Sequence, residues 1–513
     1  MAASSAAPAP SPIPIDALRY EPAVSKIPAF DKELYAENRQ RLAAALREAA
    51  VPAGAVAVLQ GSVTTTRNET DNEPLLRQDS HFLWAVGANE SGFYVAINVD
   101  DGKATLFVPK LPESYGIWMG ALKTPAEIAA AYGVEEGKYV TEMHAALKAA
   151  SPSRVLLNVG LNTDSGLTSE AASWEGREDF VAAGLVDVET LYPVLCECRV
   201  FKTEREIAVM RQIVGAASDA HCVMMRAVRE GMREDGLEAV FKFWLQSTVG
   251  SRYNAYTYIC GSGPNAAVLH YGHEGAPNDR FIGKDEFVLC DCGHELFGYA
   301  SDITTAFPSS GKFTPDQRVV YSAVLGALEA VEAELKPGVN YIDMQALAYR
   351  NILSTLKEAG VVTGEIEDMM AANLGAVFMP HGLGHMLGID THDVGGYGGK
   401  DARPRDTRDG FKSVRATRPI AKGMVMTVEP GCYFIDMVLD KAFANPEQAK
   451  FLVKDVIDSR FRGIGGVRLE DNIIITETGI DNMVYVPRAI DEVEAMCRGE
   501  ITSRAGFAKR YQA

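Results

Sequence analysis

The chain has 513 residues, 47% hydrophobic and 23% charged, with a net charge of −18. That length exceeds what one hydrophobic core fills, so two or more domains are expected, with the composition of a soluble globular protein. The acidic balance argues against a nucleic-acid partner, which calls for a basic face, and no run approaches the roughly 18 apolar residues of a membrane span.

The first residues, 1–15, are rich in Ala, Ser and Pro. They lack the basic start and continuous apolar core of a secretory signal and read as a disordered tail. Residues 16–190 alternate helical and strand signals. Ala36 to Ala49 has helical spacing. Ala55–Leu59, Phe93–Ile97, Ala104–Val108 and Arg154–Leu157 read as strands. Asp101-Gly102 suits a hairpin turn. Thr124-Pro125-Ala126-Glu127 is a capping box with Pro at the first helical position. This stretch has the pattern of an α/β domain and carries no catalytic cluster.

A second domain is expected over 191–513. It holds helix starts at Thr203-Glu204-Arg205-Glu206 and Thr314-Pro315-Asp316-Gln317, a stop at Lys336-Pro337-Gly338, and a further helix from about Tyr341 to Ala359. Short strands fall at Glu286–Asp291, Val425–Glu429 and Val467–Thr476. Strands bunched between helix pairs favour α+β over a regular βαβ sheet, and the order helix pair, strands, helix pair, strands points to two similar halves. The eight cysteines are sparse. Cys196/Cys198 and Cys290/Cys292 are spaced as C-x-C without a zinc-finger partner set, so they read as small buried hydrophobes in a reducing, cytoplasmic protein.

Six of the nine histidines lie between 270 and 392. Three of them fall in Phe378-Met379-Pro380-His381-Gly382-Leu383-Gly384-His385 and its extension to His392 and Asp393. Histidine is the commonest metal ligand, and glycines between ligands allow close backbone approach. Taken alone, the motif fits a glycine-rich loop of satisfied histidines equally well. Acidic residues at strand ends weigh against that. Asp291 and Asp302 end two strand-like runs; in a hairpin with an even-numbered loop they lie opposite each other on one face, where they repel unless a cation intervenes. Each alone could instead be a helix-capping or turn aspartate. Glu429 and Glu470 end two apolar strands, where glutamate is rarely unpaired. Four carboxylates and one imidazole balance two divalent cations, and hard oxygen donors with one nitrogen suit Mn²⁺ or Co²⁺.

The ordered set Asp291, Asp302, His385, Glu429, Glu470 resembles that of the pita-bread metallopeptidases, the family of methionine aminopeptidase, aminopeptidase P and prolidase. The surrounding words are closer to the eukaryotic prolidases (Xaa-Pro dipeptidases): Leu269-His270-Tyr271-Gly272-His273, Ser301-Asp302-Ile303-Thr304, Met379 to His385, His392-Asp393-Val394-Gly395-Gly396-Tyr397 and Val428-Glu429-Pro430-Gly431. The likeness runs over nearly the whole chain after the tail. It implies a creatinase-like N-terminal α/β domain followed by a pita-bread catalytic domain, a curved antiparallel sheet with outer helices.

The resemblance also implies roles. Asp291, Asp302 and Glu470 would hold one metal, and Asp302, His385, Glu429 and Glu470 the other, Mn²⁺ being the expected ion. The chemistry implied is hydrolysis of a dipeptide ending in proline. Glu429 would shuttle the proton, His392 would face the developing oxyanion, and His270, His392, Arg415 and Tyr256 would bind substrate. Arg468 could orient Glu470 or only offset excess negative charge. His381 and His273 read as structural. Trp118 matches the family's aromatic that reaches into the other subunit of a homodimer; a core tryptophan is the alternative. Aminopeptidase P chemistry on longer peptides, and a metal-free binding protein on the same fold, are the competing readings. The intact five-residue set opposes the second.

Overall fold

The structure is a computed structural model that describes residues 11–24, 26–399 and 401–507. Contacts divide the chain into two compact units: Ala29–Glu206, and a second formed by Ile207 onward together with the described residues before 29.

In the first unit six strands form one mixed sheet: β1 (Val56–Gln60), β2 (Tyr94–Asn98), β3 (Ala104–Val108), β4 (Glu136–Tyr139), β5 (Val155–Leu157) and β6 (Val186–Asp187). Their order is β4-β3-β2-β1-β5-β6. The β2–β3 hairpin and the capping box at Thr124 and Glu127 stand where the sequence predicts them. Val58, Phe107, Leu157, Trp174 and Phe180 are buried together in one core cluster.

The expected boundary at 190/191 moves to 206/207. The helix Leu191–Val200 packs on the helix Lys32–Glu48. The indole of Trp84 donates to Glu206 Oε1 at 2.9 Å, and Arg41 pairs with Glu206 Oε2 at 3.1 Å. These bonds hold the residues after 190 to the first unit. The tail expected over 1–15 is also corrected where it can be followed. Residues 1–10 lie outside the described residues. Ser11 N donates to Gly231 O at 2.9 Å, and Ile15–Leu18 forms a 3₁₀ turn whose Ala17 carbonyl accepts from Arg226. Residues 11–15 are therefore part of the second unit.

Every strand pairing in the second unit is antiparallel. The strands are β7 (Tyr253–Asn254), β8 (Ile259–Ser262), β9 (Phe287–Cys292), β10 (His294–Leu296), β11 (Tyr299–Ala300), β12 (Ile303–Pro308), β13 (Val425–Val428), β14 (Gly431–Tyr433), β15 (Gly466–Arg468), β16 (Asp471–Ile475) and β17 (Ile480–Asn482). The helix Pro315–Glu334 opens with the capping box of Thr314 and Gln317. It packs against the helix Tyr341–Glu358 and against β13, β14 and β15. Of the two C-x-C pairs read as buried small hydrophobes, Cys290, Cys292 and Cys198 are buried and Cys196 is only half-buried. Among the described residues no helix is long and apolar enough to cross a membrane.

Candidate functional site

Two hairpins build the site, and each is interrupted where an acidic residue stands. In the first, β9 pairs with β12 so that Asp291 faces Thr304. The same register continues into β10 and β11, where Leu296 faces Tyr299 across the turn Phe297-Gly298. Both turn residues have positive φ, 53° and 89°, the two-residue turn that matches strand twist. That register sets Asp302 against Gly293, in the break between the two ladders. Asp291 and Asp302 are therefore diagonal neighbours and not directly opposite, as the sequence had implied. The turn falls one residue later than direct opposition requires. An offset of two keeps both side chains on one face.

Gly293 has a reason to lack a side chain. A Cβ there would lie 1.9 Å from Ser301 O and 2.7 Å from the ring of Tyr256. The freed space admits the phenol of Tyr256 from the bend after β7. Its hydroxyl stands 2.6 Å from Asp291 Oδ1 and 2.6 Å from Asp302 Oδ1.

The second hairpin pairs β13 with β16 and β14 with β15 in one register, Val428 facing Asp471 and Gly431 facing Arg468. Glu429 and Glu470 fall opposite each other in the gap. Their amides turn outward to other segments: Glu429 N donates to Leu383 O at 2.8 Å, and Glu470 N to Thr304 O at 3.1 Å. The strand read as continuous over Val467–Thr476 is thus two, split at Leu469-Glu470. The His385 segment runs beside β13, with Thr427 N donating to His385 O at 3.0 Å. Gly384 permits this, since a Cβ there would lie 2.2 Å from Thr427 O.

Asp302, His385 and Glu470 each offer a donor atom within 4.8 Å of the others. His385 Nε2 lies 3.3 Å from Asp302 Oδ2 and 3.6 Å from Glu429 Oε1. Its Nδ1 is 2.9 Å from Met386 O, an acceptor, so Nδ1 carries a proton and Nε2 faces the carboxylates. Asp291 Oδ2 accepts from Arg468 Nη2 at 2.5 Å. Arg468 reaches Glu470 only through Thr304, whose hydroxyl lies 3.2 Å from Arg468 Nε and 2.7 Å from Glu470 Oε2. Its direct partner is Asp291.

Burial raises the carboxyls of Asp302, Glu429 and Glu470 above their ordinary range. His385 partly offsets this at Asp302, and Glu429 is pushed up to about 7. Burial works against a charged His385, yet Asp302 and Glu429 prevail and hold it above its usual value. Four carboxylates face a single buried arginine, and their ionised forms need more positive charge than the protein supplies. A set of hard oxygens with one imidazole nitrogen fits divalent cations.

The residues line a cavity of about 680 Å³. It gathers Tyr256, His270, Asp291, Asp302, His385, His392, Arg415, Glu429, Arg468 and Glu470. The ring of His392 is 4.5 Å from that of His385, nearly perpendicular to it. His381 and His273 also line the cavity; His381 Nε2 is 3.0 Å from Tyr433 Oη, which accepts from Arg468 Nη1 at 2.9 Å. Burial, then the Arg468 charge, pushes His381 down to about 3. Trp118 belongs to the other unit and is 81% exposed, beside Ile117 at 79% and Met119 at 70%. It is not a core tryptophan.

Sequence reasoning missed Thr304, Tyr433 and Asn472. Asn472 brackets the Asp302 peptide, its Oδ1 accepting from Asp302 N at 3.1 Å and its amide donating to Asp302 O. One signal was available: polar residues inside strands that are apolar on both sides.

Two family models match the chain: metallopeptidase family M24 over residues 208–477 and the aminopeptidase P N-terminal domain over 35–156. The chain is 48% identical over 467 residues to the human Xaa-Pro dipeptidase, covering 91% of this chain and 93% of that one. It is 34% identical over 460 residues to a probable Xaa-Pro aminopeptidase of Podospora anserina, covering 90% and 96%. A solved structure of an Escherichia coli aminopeptidase P variant in complex with substrate superposes with a TM-score of 0.73 at 29% identity, over 92% of this chain and 99% of that one. A zinc-substituted form of the same enzyme in complex with product matches equally well, over 94% and 100%. With two broken hairpins, a buried acidic cluster and matches that run nearly end to end, the chain belongs to metallopeptidase family M24: an α+β metallopeptidase with an aminopeptidase P-type N-terminal domain ahead of a pita-bread catalytic domain.

Proposed function

We propose that the protein is a Xaa-Pro dipeptidase of the cytoplasm, working as a homodimer with two divalent metal ions per chain, Mn²⁺ being the preferred ion. The observation that carries this reading is the 48% identity to a Xaa-Pro dipeptidase over nearly the full length of both chains. The convergence of the expected residues on one cavity supports it.

Asp291, Asp302 and Glu470 would hold one cation, and Asp302, His385, Glu429 and Glu470 the other. When bound, the cations supply an acidified water and polarise the scissile carbonyl. Glu429, the most open of the four carboxylates at 18% side-chain exposure, takes a proton from the attacking water and delivers it to the departing proline nitrogen. His392 donates to the oxyanion that develops on the scissile carbonyl. Arg415, which lines the cavity with His270, pairs the substrate's C-terminal carboxylate with its planar fork. Tyr256 holds Asp291 and Asp302 in register through its single hydroxyl. Arg468 aims Asp291 through their direct ion pair. Trp118 serves the site of the other subunit.

Hydrolysis of Gly-Pro against Gly-Pro-Ala, with chelated enzyme and with added Mn²⁺, tests the assignment. Mn²⁺-dependent cleavage confined to the dipeptide is expected. Cleavage of the tripeptide at equal or greater rate would replace the reading with an Xaa-Pro aminopeptidase.

A further inference from the structure

Thr304 is fully buried and touches three of the acidic residues' surroundings at once. It faces Asp291 across the ladder, stands two residues after Asp302, and its hydroxyl lies 2.7 Å from Glu470 Oε2. The direction of its hydrogen bonds is set by its other neighbour. Arg468 Nε, 3.2 Å away, can only donate. The threonine oxygen therefore accepts from Arg468, and its one proton goes to Glu470 Oε2.

The backbone of the same residue is anchored independently. Thr304 O accepts from Glu470 N at 3.1 Å and from Arg488 Nη1 at 2.8 Å, while Arg488 Nη2 holds Glu470 O at 2.6 Å. The Glu470 peptide is fixed whether or not the hydroxyl is present. What the hydroxyl adds is control of the carboxylate's rotation.

We propose that Thr304 is a positioning residue of the metal centre, its hydroxyl relaying from Arg468 to lock the Glu470 carboxylate in the orientation that faces Asp302 and His385. The assignment rests on the reading of Glu470 as a cation ligand. It makes Arg468 a support for two carboxylates, one directly and one through the threonine. Outer partners of ligating groups commonly change metal affinity by about 10- to 100-fold.

The test is calorimetric titration of Mn²⁺ into the chelator-stripped full-length protein, with melting temperatures in chelator alongside. Thr304→Val keeps the branched shape and removes the hydroxyl; its Mn²⁺ affinity should fall by about 10- to 100-fold. Thr304→Ser restores the hydroxyl and should recover most of it. If the valine protein does not fold, Thr304→Ala reads the same loss. A merely structural threonine would lower the melting temperature while Mn²⁺ affinity stayed at the wild-type value; that result, or a serine variant as weak as the valine, overturns the proposal. A wild-type chain that takes up no Mn²⁺ would overturn the proposed function instead.

Discussion

Glu429 and Glu470 stand opposite each other in a gap between two short ladders of one hairpin, each with its amide bonded outside that hairpin. Two carboxylates at paired positions repel, and burial raises both above the ordinary range. The excess negative charge makes the pair's pH behaviour measurable.

In chelator, Glu429→Gln should be more stable than wild type at pH 8. The gap should close as the pH falls through about 7 toward 5. The sign follows from the raised carboxyl: Glu429 is pushed up to about 7 in the fold, so its contribution to stability is present below the ordinary glutamate range and lost as pH rises through 7. Comparing the two proteins at each pH cancels His221 and His294, whose lowered values act with the opposite sign; His381, 4.0 Å from Glu429, and His385, raised by Asp302 and Glu429, change with the variant. Paired thermal melts measure this; a gap that widens toward acid contradicts it.

If Asp302 is the bridging ligand proposed above, Asp302→Asn should bind Mn²⁺ at least about a hundredfold more weakly, more than loss of an outer partner would cost, and should show no turnover of Gly-Pro. Asp302 lies within reach of Tyr256, His385 and Glu470 together. Metal analysis after dialysis checks it. Two ions per chain with near-normal activity would remove Asp302 from its bridging role.

Arg415→Ala should lower kcat/KM for Gly-Pro by at least about a hundredfold, because stripping one partner from a buried charged pair costs on the order of 3–5 kcal/mol. The C-terminal amide of the same dipeptide should lose little further. Arg415 lines the cavity with His392 and His270. Kinetics on acid and amide, with wild type and variant, give the comparison; equal losses on both substrates would take Arg415 out of the substrate site.

Trp118→Ala should weaken binding of proline substrates and leave Mn²⁺ content unchanged. An exposed run of Ile117, Trp118 and Met119 is apolar surface that a second copy could cover. If the proposed homodimer places Trp118 in the other subunit's site, mixing this variant with Asp302→Asn should restore part of the activity, because one site of a mixed dimer would keep its ligand set and a visiting indole. Verified subunit exchange without recovery would count against the arrangement.

The elements of the fold were legible where local chemistry determines them. Thr314 and Gln317 close their capping box as predicted, and β1, β2, β3 and β5 fall within a residue of their expected starts. The acidic set was legible by type and order. Register was not. The placement of Asp302 against Gly293 depends on a turn at Phe297-Gly298, and neither residue states which of two adjacent turns forms. Thr304 and Asn472 stood out only as polar residues in apolar strands; what each supports depends on a partner more than a hundred positions away.

The bond from Arg468 to Asp291 joins residues 177 positions apart, and this separation has a kinetic consequence. Closing so long a loop is slow and offers nothing until both ends are present. During synthesis the first hairpin, from Phe287 to Pro308, emerges long before Glu429, Arg468 and Glu470. Until those three leave the ribosome, Asp291 and Asp302 lack both their arginine and their remaining carboxylates. On the proposed assignment, metal capture would be a closing event of folding: a chain arrested before residue 466 would carry both aspartates and still lack Arg468 and Glu470.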